Sequence, residues 1–181
     1  MWLDVGAVDD VRLETALVAV LEYHDALRLR FRRTETGWAQ WYGPAVGMTL
    51  ERQDLSALPA DEQDRVQEGV AASRQTSLDL EHGPVGRAVL FDRGAGGRRL
   101  LVILHHLVVD GVSWRILRDD VERACAQLER GEPIDLGEKS TSYQQWAESL
   151  ARYAASEQLA EERAYWLAQR HEGVGAVPVD G

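Results

Sequence analysis

The stretch that most limits how this chain can fold is LLVIL, residues 100–104. Five apolar residues in a row are too few to cross a membrane, but they suit a strand buried on both faces. Successive side chains on a strand point to opposite sides, so burying all five requires cover above and below the sheet. The run is bracketed by DRGAGGRR (92–99), a glycine-rich hairpin turn, and by HHLVVDG (105–111). The strand therefore delivers His105 and His106 to its own end, and a helical pattern starts at Ser113. Loops at such junctions, held by a rigid sheet, often carry reactive side chains.

The remaining pattern interleaves strands and helices. Trp2 to Val5 reads as a short strand. Asp9 or Asp10 can cap a helix whose apolar positions are Leu13, Leu17, Val20, Leu21 and His24. In ALRLRFRR (26–33), Leu27, Leu29 and Phe31 alternate with arginines, which is a strand with one apolar face. GWAQWYG (37–43) is its hairpin partner, with Trp38 and Trp41 as large anchors, and a weaker strand lies near Met48 to Arg52. Pro59 to Ser73 reads as a polar surface helix and Val85 to Phe91 as a strand. The helix from Ser113 carries Leu117, Val121, Ala124 and Leu128 as its stripe, and Gly131 ends it. Residues 131–142 form a loop. Tyr143, Trp146, Leu150 and Tyr153 line one further helix, and Leu159, Trp166 and Leu167 point to another. The class is α/β, or an α+β sandwich: a mixed sheet flanked by helices.

Bulk properties narrow the function. The chain has 181 residues, enough for one domain, with 30 acidic against 20 basic residues and a net charge of -10. It has no Lys/Arg-rich block, which argues against nucleic acid as a partner. No apolar run is long enough for a membrane span, and the N-terminus lacks a signal-peptide pattern. The single Cys125 cannot form an internal disulfide and fits a reducing compartment. These features describe a soluble, cytoplasmic protein. The chain opens inside a strand pattern and closes on linker-like GVGAVPVDG (173–181), which points to a piece of something larger.

The histidine pair admits several chemistries. If the strand persisted, His105 and His106 would face opposite sides, one structural and one presented. An imidazole titrates near neutrality, so a presented histidine can take and return a proton. Asp110 can orient an imidazole, bind a metal or lock the loop by pairing with a cation. Gly111 lets backbone or ligand approach closely. A satisfied core histidine beside an ordinary turn is the plain alternative. A zinc site lacks evident third and fourth ligands, since His24, His82 and His171 are scattered. No G-x-S-x-G elbow surrounds any serine. Cys125 lies beside a helical stripe and reads as packed rather than nucleophilic.

HHLVVDG matches the HHxxxDG signature of the condensation-domain superfamily of nonribosomal peptide synthetases, whose members resemble chloramphenicol acetyltransferase in fold. The continuation Val112-Ser113-Trp114-Arg115 looks most like their epimerization domains. YHDALRLRF (23–31) resembles the family's RHExLRTxF block, with Tyr23 where an arginine is usual. GPVGRAVLF (83–91) and STSYQQWAESLARYA (140–154) resemble neighbouring family segments.

The resemblance implies a single lobe. Residues 1–172 correspond to the N-terminal lobe, without the family's first helix and without its C-terminal lobe, and 173–181 to a linker or truncated crossover. It implies His106 as the catalytic histidine and His105 as a structural one. Asp110 would hold the loop through a salt bridge, with Arg28 as its cation and Arg30 as runner-up. Gly111 would leave room for a thioester arm, with Ser113 and Trp114 completing the motif and Trp114 packing beneath it. The chemistry implied is inversion at the α-carbon of an aminoacyl or peptidyl thioester. That substrate would ride on the phosphopantetheine arm of a peptidyl carrier protein, with no metal and no directly bound cofactor. Amide-bond formation by a condensation domain, and a silent lobe serving as an interaction platform, are the alternatives.

Overall fold

The computed structural model describes residues 1–45 and 49–169. The expected boundary at 172 and the linker 173–181 lie outside them, as does Met48. Residues 1–140 and the segment from 141 onward form separate compact units, and each is described by itself.

The first unit contains a four-stranded sheet. Strand β1 (Trp2–Asp4) pairs antiparallel with β6 (Arg98–Leu104). Strand β6 pairs antiparallel with β5 (Gly86–Asp92), and β5 pairs parallel with β4 (Leu50–Asp54). The spatial order is β1-β6-β5-β4. The β5–β6 turn contains Gly94 and Gly97, both in the left-handed region (φ 61° and 79°), where a side chain would be strained.

Both faces of this sheet are covered, as the apolar run at 100–104 demands. On one face Ala88, Leu90, Leu100, Val102 and Leu104 pack with Leu13, Leu17, Val20, Leu117 and Val121. Those residues come from helices α1 (Asp10–Tyr23) and α3 (Ser113–Glu129). On the other face Val89, Phe91, Leu101 and Ile103 pack with Val66, Val70 and Ala71 of α2 (Ala60–Thr76). The period-2 alternation along β5 and β6 sorts these side chains between the two cores. Helix α1 starts at Asp9, whose carboxylate accepts the N–H groups of Val11 and Arg12 at 3.0 and 3.1 Å. Helix α3 is followed by Gly131 at φ 73°, the left-handed residue that stops a helix.

The arginine-rich segment departs from its expected alternation. Residues Asp25–Arg28 form a short 3-10 turn, so Leu27 and Arg28 are not on a strand. Strand β2 (Leu29–Thr34) pairs with β3 (Gly37–Tyr42) as a separate hairpin. Leu29 and Phe31 are buried, but so is Arg30, 3% exposed. The loop before β5 lies over it: Phe31 N–H bonds Leu80 O at 2.7 Å, and Gly83 sits directly against the Arg30 guanidinium. Trp38 and Trp41, expected as anchors, are exposed. The hairpin is not part of the main sheet, and among the described residues no layer covers its outer side. Arg32 lies 5.6 Å from the Trp41 ring centre, a cation–π contact at the surface.

The second unit holds α4 (Tyr143–Ala154) and α5 (Glu157–Ala168). Helix α4 starts with a reciprocal capping box between Ser142 and Gln145, and Ser156 caps α5. The expected stripe Tyr143, Trp146, Leu150 and Tyr153 falls on α4, and these side chains are exposed. Among the described residues no helix is long and apolar enough to cross a membrane.

Candidate functional site

The motif forms at the end of β6. The ladder continues one residue past the strand, because His105 N–H donates to Val85 O at 2.9 Å. The chain then turns. Val108 N–H donates to His105 O at 2.9 Å, and Leu107 N–H donates to His105 Nδ1 at 3.1 Å. The two histidines therefore separate by a turn rather than by strand alternation. His105 is half-buried and engaged, while His106 is exposed. Among the described residues none makes a hydrogen bond to the His106 ring. Val108 and Val109 turn back into the core beneath it.

The other motif residues surround this turn. Asp110 Oδ1 accepts from Ser113 N at 2.8 Å and from Ser113 Oγ at 2.6 Å, tying the motif loop to the first turn of α3. The Ser113 hydroxyl and the Ser113 backbone N–H hold the Asp110 carboxyl below the usual aspartate range. Trp114 is half-buried against the α1/α3 core and, with Leu17, Leu27 and Leu104, lines a small apolar cavity there. A Cβ added at Gly111 would meet nothing within 4 Å, and its φ is not left-handed, so the surrounding chain makes no demand for glycine there. Leu107, Val112 and Ile116 are exposed apolar side chains flanking His106 in sequence.

The expected salt bridge from Asp110 to Arg28 does not form. Arg28 Nη2 binds Asp25 Oδ1 at 2.5 Å, within the same 3-10 turn, and Lys139 Nζ approaches that carboxylate at 2.8 Å. Hydrogen bonding from Lys139 is the main influence lowering the Asp25 pKa; burial opposes it and the Arg28 bond adds to it. Arg30, the runner-up, donates to Leu29 O at 2.9 Å beneath the loop at Gly83. Asp110 is satisfied instead by a partner three residues away.

Sequence reasoning missed one partly buried contact that fastens the helix carrying the motif. His24 Nε2 lies 2.7 Å from Asp120 Oδ2 and joins the end of α1 to the middle of α3. Asp120 is 7% exposed, an unusual depth for a carboxylate. The signal was available: Asp120 falls between Leu117 and Ala124 on the apolar stripe of α3, and His24 ends the stripe of α1. Among the described residues no cluster of His, Cys, Asp and Glu is arranged to hold a metal ion. Burial pushes the Cys125 thiol pKa up, and Glu122 adds to that, consistent with an unreactive packed residue.

The profile of the condensation domain matches residues 3–180. The chain belongs to the condensation-domain family. It is 47% identical over 176 residues to one of the linear gramicidin synthase proteins of Brevibacillus parabrevis, a match that covers 96% of this chain and 2% of that protein. Chondramide synthase from Chondromyces crocatus is 46% identical over 173 residues, 93% of this chain and 4% of that protein. Among solved structures, the epimerization domain of the third module of tyrocidine synthetase B superposes with a TM-score of 0.84 at 34% identity. That match covers 98% of this chain and 40% of that one. The starter condensation domain of rhizomide synthetase gives a TM-score of 0.79 at 27% identity, covering 93% and 41%. The chain thus spans a few per cent of the synthetases it matches and about two fifths of these solved domains. The mixed sheet between helical layers is the chloramphenicol-acetyltransferase-like architecture of this condensation-domain family.

Proposed function

We propose that this chain is the first lobe of an epimerization domain in a nonribosomal peptide synthetase. In this reading His106 is one of two acid/base groups that act on the α-carbon of a carrier-bound aminoacyl or peptidyl thioester, one removing the α-proton and the other delivering a proton to the opposite face. The observation that carries it is the presentation of His106. Its ring is exposed and, among the described residues, unengaged, on a turn pinned to the end of a doubly buried strand. A base placed this way can meet a substrate without first giving up an internal partner. The thioester acidifies the Cα–H, and the resulting enolate needs donors aimed at its oxygen. Reprotonation from the opposite face needs a second acid/base group, which we assign to the remainder of the domain. Gly111, unconstrained by its own fold, leaves room for the phosphopantetheine arm. The likeness to the tyrocidine epimerization domain supports the choice of reaction. The rhizomide starter condensation domain keeps amide-bond formation as the second reading, with His106 acting on the acceptor amine.

The test uses a carrier protein loaded with an α-deuterated aminoacyl thioester. The complete domain containing this chain should wash out deuterium with inversion. His106→Ala should lower that rate by about 10²–10⁴-fold, the usual worth of a positioned acid/base group. The 181-residue chain by itself should turn over little or not at all. Washout that survives His106→Ala, or none in the folded complete domain, would defeat the epimerase reading.

A further inference from the structure

We propose that His105 is a positioning residue that sets the direction of His106 through the two peptide planes on either side of it. The plane between His105 and His106 carries the His105 carbonyl, which accepts from Val108 N–H at 2.9 Å. The plane between His106 and Leu107 carries the Leu107 N–H, which donates to His105 Nδ1 at 3.1 Å. Both bonds end on His105. Its own N–H is tied to Val85 O at 2.9 Å, so the residue that holds the turn is anchored in the sheet. Fixing the two flanking planes fixes φ and ψ of His106, and these determine where its Cβ points. The His106 ring stays free to rotate and react while its origin is held.

The geometry also assigns the state of the His105 ring. A nitrogen that accepts an N–H carries a lone pair, so Nδ1 is unprotonated and the proton of the neutral ring sits on Nε2. The bond runs from a side chain to the N–H two residues on. Asparagine and aspartate make the same connection in an Asx turn. Asparagine is therefore the substitute that keeps the acceptor, and phenylalanine the one that keeps a ring without it. The inference rests on the epimerase reading only where turnover is measured, because there His106 is the reacting group.

The experiment compares the wild-type chain with His105→Asn and His105→Phe. Nitrogen-15 spectra of the wild-type chain should show His105 Nδ1 unprotonated. Leu107 amide exchange should be about fivefold faster in the Phe variant, as expected for one lost hydrogen bond, and near wild type in the Asn variant. Backbone couplings reporting ψ of His106 should be shared by the wild type and the Asn variant and altered in the Phe variant. In the complete domain, kcat for deuterium washout should fall about 10- to 100-fold with Phe while KM holds, and Asn should restore most of it. A proton found on Nδ1, or an Asn variant no better than Phe in the exchange and coupling measurements, overturns the assignment. If the Phe variant does not fold, the wild-type tautomer and the Asn variant still decide it. If the wild-type domain shows no washout, the epimerase reading fails, and the ring, exchange and coupling data still decide the role of His105.

Discussion

Truncating His24 should show how firmly the motif helix is held. The His24 ring meets Asp120 at 2.7 Å, with side-chain exposures of 22% and 10%. Among the described residues the other cation near that carboxylate is Arg123, 4.0 Å away and beyond hydrogen-bond range. His24→Ala therefore leaves an almost buried acceptor without its donor. Net contributions of hydrogen bonds to charged groups run about 1.5–3 kcal/mol. Partial exposure of the imidazole places this one near the lower end, about 2 kcal/mol. For a chain of this size that corresponds to a fall in Tm of about 4–8 °C. The informative measurement is the double-mutant cycle with Asp120→Ala, read by urea unfolding. The two single substitutions should not add, with a coupling of about 1.5–2 kcal/mol. A coupling below about 0.5 kcal/mol, the ordinary scatter for independent sites, would refute the idea that the pair fastens α1 to α3.

Two further perturbations test the surroundings of the site. Gly83→Ala presses a Cβ into three atoms of the buried Arg30 guanidinium, at a backbone φ of 81°. The left-handed conformation alone costs about 1–2 kcal/mol, and the displaced guanidinium raises the total to about 2–4 kcal/mol. Thermal unfolding measures this, and the same change in an Arg30→Ala background should cost only the backbone part. Asp110 has a depressed folded pKa, so its hold on Ser113 is fully present above the ordinary aspartate value of about 3.9 and is lost as pH falls through the lower folded value. Carboxyl titration by NMR should show this, and Ser113→Ala should move the Asp110 midpoint back up. An unchanged midpoint would mean that the Ser113 hydroxyl is not the main cause.

Much of the fold is legible in local pattern. LLVIL required cover on both faces of a sheet and received it from α1 and α3 on one side and α2 on the other. Asp9, Ser142 and Gly131 mark helix ends because caps and stops depend on a few neighbouring residues. The element around Met48 to Arg52 shifted to Leu50–Asp54, since a strand that short is settled by its neighbour β5 rather than by its own composition. Trp38 and Trp41 misled for a related reason: large apolar side chains mark a packing opportunity, and among the described residues no layer covers the outer side of the hairpin that carries them.

The motif divides the same way. Its sequence determined that two histidines leave a buried strand and that an aspartate precedes a helix. It did not determine which partner Asp110 takes. Ion-pair choice depends on which charges the folded backbone brings within a few ångströms, and that is a property of loop paths distant in sequence. The 3-10 turn at 25–28 gave Arg28 to Asp25, the loop at Gly83 closed over Arg30, and Ser113 was left for Asp110. Periodicity and caps are local and can be read along the chain. The pairing of His24 with Asp120 spans 96 positions, and only the packing of α1 on α3 could decide it.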